Sequence, residues 1–529
     1  MRALHPRETA HRVAVFSLLA GMALASFGCG QGGSSAAPCK ASAYKPITTE
    51  NPPAEPENTE NYNRILDNPY LSAKQDPLST FSANVDTASY SNLRRFLNEG
   101  TLPPPDSVRI ADMINYFDYD YPEPRGSDPV GIRLELAACP WQSKHHLLRI
   151  ALKARTLKPE EMPARNFVFL VDTSGSMNAS NRLPLVQKSL QLLVEQLTAR
   201  DRVSMVTYAG NAGLALRATP GDQKQRMLQA IDNLSAGGST NGAGGIHAAY
   251  EQAESVLIDG GVNRVILATD GDFNVGVSSE TELVRLIEKK RHTGIYLTVL
   301  GYGMGNLKDS KLEQLAHHGN GHYAYIDSID EARKVFVDQG GALAIVAKDV
   351  KLQVEFNHAR VNAYRLIGYE NRVLRNEQFR DDAADAGEMG SGHTCTALYE
   401  IVPHGVGIET PESGLKYQRT AESNVESKAA ANRNEWLTVR MRYKHPDRET
   451  AEEMSVVLPE DVFSVQPSSD FRWAAAVTAY GLILRDSPHK GTATLSLVRK
   501  LAETGRGNDP QGYRDEFFGL LRKTERLTR

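Results

Sequence analysis

Val171-Asp172-Thr173-Ser174-Gly175-Ser176-Met177 closes the uncharged run Phe167-Val168-Phe169-Leu170-Val171. An apolar run without alternation predicts a strand buried on both faces of a parallel sheet, with any chemistry at its carboxyl end. There a carboxylate and two hydroxyls, Asp172, Ser174 and Ser176, recur at every second residue of a glycine-containing turn, so their oxygens can face one centre. Hard oxygen donors of this kind suit Mg²⁺, Mn²⁺ or Ca²⁺. The string is short enough to recur by chance, and a Ser-Gly turn needs no metal. The remaining support has to come from elsewhere in the chain.

Two later segments supply it. Gly237-Gly238-Ser239-Thr240 is a glycine-rich loop with a further hydroxyl ahead of a helical pattern, and Val265-Ile266-Leu267-Ala268-Thr269-Asp270-Gly271 is a second buried strand ending in a carboxylate. Open parallel sheets gather ligand sites outside the carboxyl ends of their strands. The order D-x-S-x-S, then Thr, then Asp resembles the metal-ion-dependent adhesion site of von Willebrand factor type A domains, with Asp172, Ser174, Ser176, Thr240 and Asp270 at its five positions. The resemblance implies an α/β fold with a doubly wound, mostly parallel, Rossmann-like sheet. It implies a divalent cation, Mg²⁺ first, with Mn²⁺ or Ca²⁺ as alternatives. It also implies roles: Ser174, Ser176 and Thr240 as direct or exchangeable ligands, Asp172 and Asp270 acting mostly through water. An ion so held is short of negative charge, and an Asp or Glu of a protein partner would complete its octahedron.

Residues 165–340 carry the alternation such a sheet needs. Leu183, Val186, Leu190, Leu193, Val194 and Leu197 keep helical spacing, with Gln187, Lys188, Gln191 and Glu195 opposite them. Strands are predicted at Arg202–Tyr208, Leu214–Leu216, Ile295–Leu300 and His322–Ile326, with helices between and a closing helix from Ile329 to Asp338. His317, His318 and His322 bracket Gly319-Asn320-Gly321 and read as a helix end and turn rather than a metal site.

The start of the chain bears on location. Arg2, Arg7 and Arg12 precede an apolar run from Val13 to Ala25, so residues 1–29 are expected to be a secretory signal peptide. Cys29 after a small residue resembles a bacterial lipoprotein cleavage site, although Ser26 and Phe27 depart from that pattern; an ordinary cleaved or retained signal is the alternative. Acylation at Cys29 would anchor the exported protein in the cell envelope, and Gly30 resembles the pattern sorted to the outer membrane of two-membrane bacteria. Residues 30–61, rich in Ser, Ala, Pro, Glu and Asn, read as a tether. Cys39, Cys139 and Cys395 then allow at most one internal disulfide.

Residues 62–164 read as helices followed by strands. Asp86 is expected to cap a helix bearing Tyr90, Leu93 and Leu97 on one face; a second helix carries Ile110, Met113, Ile114 and Phe117. Thr80 to Tyr90, Asn115 to Tyr121 and Pro140-Trp141 resemble the amino-terminal region of bacterial von Willebrand factor A domain lipoproteins. Tyr116, Tyr119 and Tyr121 are expected to pack against the metal-binding domain, with an exposed aromatic patch as the alternative. Residues 341–465 return to strand patterns, which predicts a β-sandwich built from about 130–155 and 348–460 with the α/β domain inserted in it. Residues 466–529 have helical spacing, and Asp509 to Arg514 resemble the same family's carboxyl-terminal motif.

Sixty basic and 64 acidic residues give a net charge of −4 over 529 residues, which offers no reason to expect nucleic acid. No G-x-x-x-x-G-K-[ST] string suggests nucleotide. A hydrolase would need a general base, and neither His nor Glu falls in the three site loops. The sequence therefore predicts a non-enzymatic, membrane-tethered binding protein. A metal-dependent hydrolase and an envelope protein with a fold-stabilising metal are the alternatives.

Overall fold

Strands with no outward face and helices with one govern the middle of the chain. The computed structural model describes residues 58–83, 86–239, 241–271, 280–407 and 434–529. These begin with β1 (Leu71–Ser72), β2 (Leu78–Ser82), α1 (Ala88–Asn98), α2 (Ile110–Asn115), β3 (Val130–Ala138) and β4 (His146–Ala154). Next come β5 (Arg165–Asp172), α3 (Leu183–Glu195), β6 (Arg202–Tyr208), β7 (Ala212–Pro220), α4 (Lys224–Asp232), α5 (Gly242–Ser255), β8 (Val262–Thr269), α6 (Glu280–Arg291), β9 (Ile295–Tyr302), α7 (Asp309–His318), β10 (Tyr323–Ile326) and α8 (Ile329–Arg333). The last stretch holds β11 (Ile345–Phe356), β12 (Val361–Ile367), β13 (Val373–Leu374), β14 (Gly387–Gly390), β15 (Thr394–Pro403), β16 (Glu435–Lys444), β17 (Ala451–Pro459), β18 (Phe463–Ser464), α9 (Ser469–Leu484), α10 (Leu495–Gly505) and α11 (Tyr513–Leu527).

Strands β5 to β10 form one sheet in the order β10-β9-β8-β5-β6-β7. All its pairings are parallel except that of edge strand β7 with β6. The side chains of β5 alternate between two cores. Phe167, Phe169 and Val171 share one with Leu190 of α3 and Ile231 of α4, while Val168 and Leu170 share the other with Ile246 of α5, Ile287 of α6 and Leu315 of α7. A strand with two buried faces has no polar side to alternate with, which is why its sequence reads as an unbroken apolar run. This is the doubly wound α/β fold expected.

Two further sheets, β1-β12-β15-β4-β3-β18 and β13-β2-β11-β16-β17, share a core that includes Ile150, Leu152, Leu352, Val354, Tyr399 and Val439. β4 pairs antiparallel with β15, Leu152 opposite Cys395, and β2 with β11, Phe81 opposite Leu352. Chain from before and after the α/β domain thus builds one sandwich, and the domain is inserted in it. The sandwich starts earlier than expected, at β1 and β2. Polar Ser79, Thr80 and Ser82 hide β2 in the sequence, yet Thr80 is buried with its Oγ1 donating to Asn376 Oδ1 at 2.9 Å.

A fourth core joins the two ends of the chain. Tyr90 and Leu93 of α1 and Met113 and Ile114 of α2 pack with Trp473 and Val477 of α9 and Phe517 of α11. Tyr116, Tyr119 and Tyr121 are buried, which removes the exposed-patch alternative; Tyr116 alone bonds the inserted domain, donating to Glu331 Oε2 of α8 at 2.8 Å. Asp86 is not a helix cap. Its Oδ1 accepts from the Tyr323 N–H at 2.8 Å and its Oδ2 from Arg372 at 2.6 Å, so long-range partners outcompete the local one. Thr59 to Asn61, read above as the end of a tether, hydrogen-bond through their main chain to residues 305–307. Such bonding is independent of side-chain hydrophobicity and leaves no trace in composition. His317 lies beside Arg372 at 2.8 Å, and burial together with that guanidinium pushes its imidazole down to about 3. Cys139 and Cys395 are buried free thiols, and no described helix is long and apolar enough to cross a membrane.

The sandwich also buries charge. Arg365 of β12 faces Glu400 of β15 in register, with Nη2 to Oε2 at 3.0 Å, and His145 Nδ1 lies 2.6 Å from Glu400 Oε1. Burial would raise the Glu400 carboxyl, but the His145 hydrogen bond and the Arg365 charge prevail and hold it at about 2, below its ordinary 4.5. A carboxyl depressed by folding contributes stability that is complete above its unfolded pKa and disappears as pH falls through the folded one. Urea denaturation across pH is therefore expected to show wild-type stability falling between about pH 4.5 and 2. In Glu400→Gln that slope should flatten, with a loss of about 3–5 kcal/mol at pH 7 from the uncompensated Arg365.

Candidate metal centre

The carboxyl ends of β5 and β8 are neighbours in the sheet, which carries Asp172 and Asp270 to one edge. Both side chains are fully buried. Asp172 Oδ1 accepts from the Ser174 N–H at 2.9 Å, and Oδ2 accepts from the Tyr208 hydroxyl at 3.0 Å and the Thr269 hydroxyl at 3.2 Å. Burial pushes the Asp172 carboxyl above its ordinary range and the charge of Asp270 adds to this, while the Ser174 and Tyr208 hydrogen bonds act in the opposite sense.

Ser174 is buried and Ser176 exposed, with their Oγ atoms 3.0 Å apart. Two cis ligands of an octahedral Mg²⁺ at about 2.1 Å are separated by about 3.0 Å, so this pair matches one edge of that coordination shell. The glycine loop is stitched to the serine turn by two main-chain bonds, Gly175 N–H to Gly238 O at 3.1 Å and Gly237 N–H to Thr173 O at 2.8 Å. Thr240 itself lies outside the described residues. Among the described residues no group of three or more His, Cys, Asp or Glu side chains is placed to hold an ion. The donors gathered here are of a different kind, two hydroxyls beside two carboxylates, and they fit a small hard cation.

Four residues that the sequence did not single out complete the site. Tyr208 and Thr269 support Asp172. Arg182 and Asn306 converge on Asp270 Oδ2, each at 2.9 Å. The Arg182 guanidinium also donates to Ser176 O at 2.6 Å, Met304 O at 2.7 Å and Asn306 Oδ1 at 2.9 Å. Gly303, at φ +73°, makes room for this: a Cβ there would come within 2.6 Å of the Arg182 Nε and Cγ atoms. Asp270 therefore already bears one positive charge from within the chain.

Residues 166–338 match the von Willebrand factor type A domain, residues 56–149 a family described as von Willebrand factor, and residues 341–527 the C-terminal family of "Uncharacterized protein YfbK". "Uncharacterized protein YfbK" of Escherichia coli K12 is 42% identical over 479 residues, 89% of this chain and 82% of that protein. The chain belongs to this bacterial family of von Willebrand factor type A domain proteins. Other relatives match over shorter stretches. The magnesium-chelatase 60 kDa subunit of Rhodobacter capsulatus is 30% identical over 152 residues, 27% of each chain. Inter alpha-trypsin inhibitor heavy chain 4 of Mus musculus is 25% identical over 198 residues, 35% of this chain and 20% of that one. A solved structure described as von Willebrand factor type A from Catenulispora acidiphila covers 74% of this chain and 89% of its own, at 15% identity and a TM-score of 0.40. Membership points to a protein-interaction or adhesion role of the kind that often depends on a divalent cation.

A buried carboxyl whose pKa is raised by folding destabilises the folded state once it is ionised, so its cost appears as pH rises through the folded pKa. Asp172→Asn removes that charge while leaving groups able to bond Ser174, Tyr208 and Thr269. In chelator at pH 7 the variant is expected to unfold at or above the wild-type temperature, by up to about 1 kcal/mol of added stability. Thermal denaturation checks this, and a fall of several degrees would contradict it.

Proposed function

We propose that the protein is an extracytoplasmic binding protein, anchored to the cell envelope by lipid at Cys29, that grips an acidic residue of a protein partner through a divalent cation, Mg²⁺ first. Ser174 and Ser176 would be direct ligands, Thr240 an exchangeable one, and Asp172 and Asp270 would orient bound water. When bound, the ion supplies a coordination position that an incoming carboxylate completes. The observation carrying this reading is the donor set: two hydroxyls at octahedral spacing, beside two carboxylates already engaged by protein hydrogen bonds and, at Asp270, by a guanidinium. Such a site offers a cation little direct negative charge and favours an anionic ligand from outside.

The same groups argue against hydrolysis. None of the described site residues is a His or Glu able to serve as general base, and the carboxylate beside Ser174, that of Asp172, is buried and already accepts from Tyr208 and Thr269. A structural role for the site is the second reading, and Arg182 is the observation behind it, because Asp270 is already paired without a metal.

Titration calorimetry with Mg²⁺ and Mn²⁺ is expected to show one saturable site in the wild type and none in Asp172→Ala. Ser174→Ala should weaken binding by at least the roughly 10–100-fold typical of losing even an outer-sphere partner. Capture of an acidic peptide on the loaded protein should be abolished by chelator. Metal binding without any carboxylate-dependent capture would favour the structural reading.

A further inference from the structure

The loop that holds Arg182 and Asn306 is itself held from outside the inserted domain. Residues 303–308 link β9 to α7 and carry three of the groups around Asp270: Met304 O and Asn306 Oδ1, which accept from Arg182, and Asn306 Nδ2, which donates to Asp270. Across this loop lies the segment Thr59–Asn61. Thr59 N–H donates to Gly305 O at 2.7 Å and Asn61 N–H to Leu307 O at 3.0 Å, Asn61 and Lys308 form a parallel bridge, and Lys308 Nζ donates to Thr59 O. Between them Glu60 Oε1 accepts from the Gly305 N–H at 2.7 Å. Its other oxygen is fixed to α1 and its neighbourhood, by Arg95 at 2.9 Å and the Tyr62 hydroxyl at 2.9 Å.

We infer that Thr59–Asn61 is an intramolecular strap which, through the 303–308 loop, keeps Arg182 on Asp270 and so holds the cation site in a low-affinity state. Arg182 is the positioning residue of this device. With the strap docked, its guanidinium has four acceptors, two of them supplied by the loop, and its charge is spent on Asp270. With the strap released, the loop is free to withdraw Met304 O and Asn306, Arg182 loses half its anchorage, and Asp270 regains charge with which to attract a cation. The loop has little freedom to move by halves. Gly271, at φ +99°, is packed so closely that a Cβ there would come within 2.7 Å of the backbone at Leu307 and Lys308, so the residue after Asp270 senses any displacement. The coupling is reciprocal: cation binding should loosen the strap by the same factor that strap release tightens cation binding. Anything that pulls on or binds the chain preceding Thr59 would then act on the metal site.

This inference rests on the cation reading of the site, and the test separates the two. Mg²⁺ and Mn²⁺ are titrated into the full chain as wild type, Glu60→Ala, Thr59→Pro, Arg182→Ala and the Glu60→Ala/Arg182→Ala double variant, with hydrogen exchange at residues 303–308 followed in each. Glu60→Ala and Thr59→Pro should speed exchange in the loop and tighten cation binding by at least about fivefold. Arg182→Ala should tighten binding as well, and adding Glu60→Ala to it should bring no further gain, since residues acting in one network are not additive. Faster loop exchange with unchanged affinity, unchanged exchange in both strap variants, or a Glu60 effect that persists without Arg182 would overturn the strap while leaving the cation site intact. Absence of binding in every protein, wild type included, would overturn the cation reading and the strap with it.

Discussion

A carboxylate at the end of a fully buried strand has to be satisfied from within, and much of the structure around Asp172 follows from that requirement. Burying β5 between two cores stabilises the sheet, but it also carries the Asp172 side chain out of water. An ionised group there is tolerated only with hydrogen bonds from several directions. The Ser174 amide, the Tyr208 hydroxyl and the Thr269 hydroxyl provide them, from the next turn and from the two strands flanking β5. The second buried carboxylate, Asp270, takes a different solution, a guanidinium and an amide drawn from two other loops. The site is thus a junction of five chain segments, each fixed by its duty to one of two charges.

The same logic recurs where the segments flanking the inserted domain meet that domain and each other. Arg94 of α1 pairs with Asp327 and Glu331 beside β10 and with Glu516 of α11, Arg109 with Asp309 of α7, and Arg372 with Asp86. Each pairing joins parts of the chain far apart in sequence, and each arginine is almost wholly buried. Planar guanidinium groups with several fixed donors suit such junctions, because they bind only in a narrow range of orientations. Desolvation offsets most of the attraction, so these clusters fix how the layers are aligned more than they add to net stability. Apolar packing supplies the larger share of stability, in four cores each shared between elements distant in sequence.

Where one side-chain pattern decided the local structure, the sequence was readable. The unbroken runs of β5 and β8 and the one-sided helices α3 and α11 are consequences of burial that leave a mark in the sequence. The D-x-S-x-S turn was readable because its three oxygens lie within five residues. Arg182 and Asn306 were not, since what makes them part of the site is the return of the chain after β9, and nothing in their neighbourhoods marks it. Tyr208 and Thr269 end strands and looked like ordinary strand residues. Asp86 shows the opposite failure: a local rule predicted a cap, and two distant donors claimed both oxygens. β2 was obscured because its buried polar residues fit no apolar pattern, and Thr80 finds its partner only in the folded sandwich.

The insertion itself has a bearing on how the molecule comes to be assembled. β4 and β11 belong to the same sandwich but are separated by about 190 residues, and closing a flexible loop of that length before any contact forms carries an entropic cost. The intervening domain has parallel pairings and supplies nearly all of two cores, so it is able to collapse first. Once it has, the separation that matters is the short span between its two flanks, where Gly392 N–H bonds Arg155 O and Ser391 N–H bonds Ala344 O. The domain that carries the candidate site can thereby act as the clamp that delivers two distant strands to each other, and the order of synthesis, first strands early and their partners last, becomes workable for an otherwise slow topology.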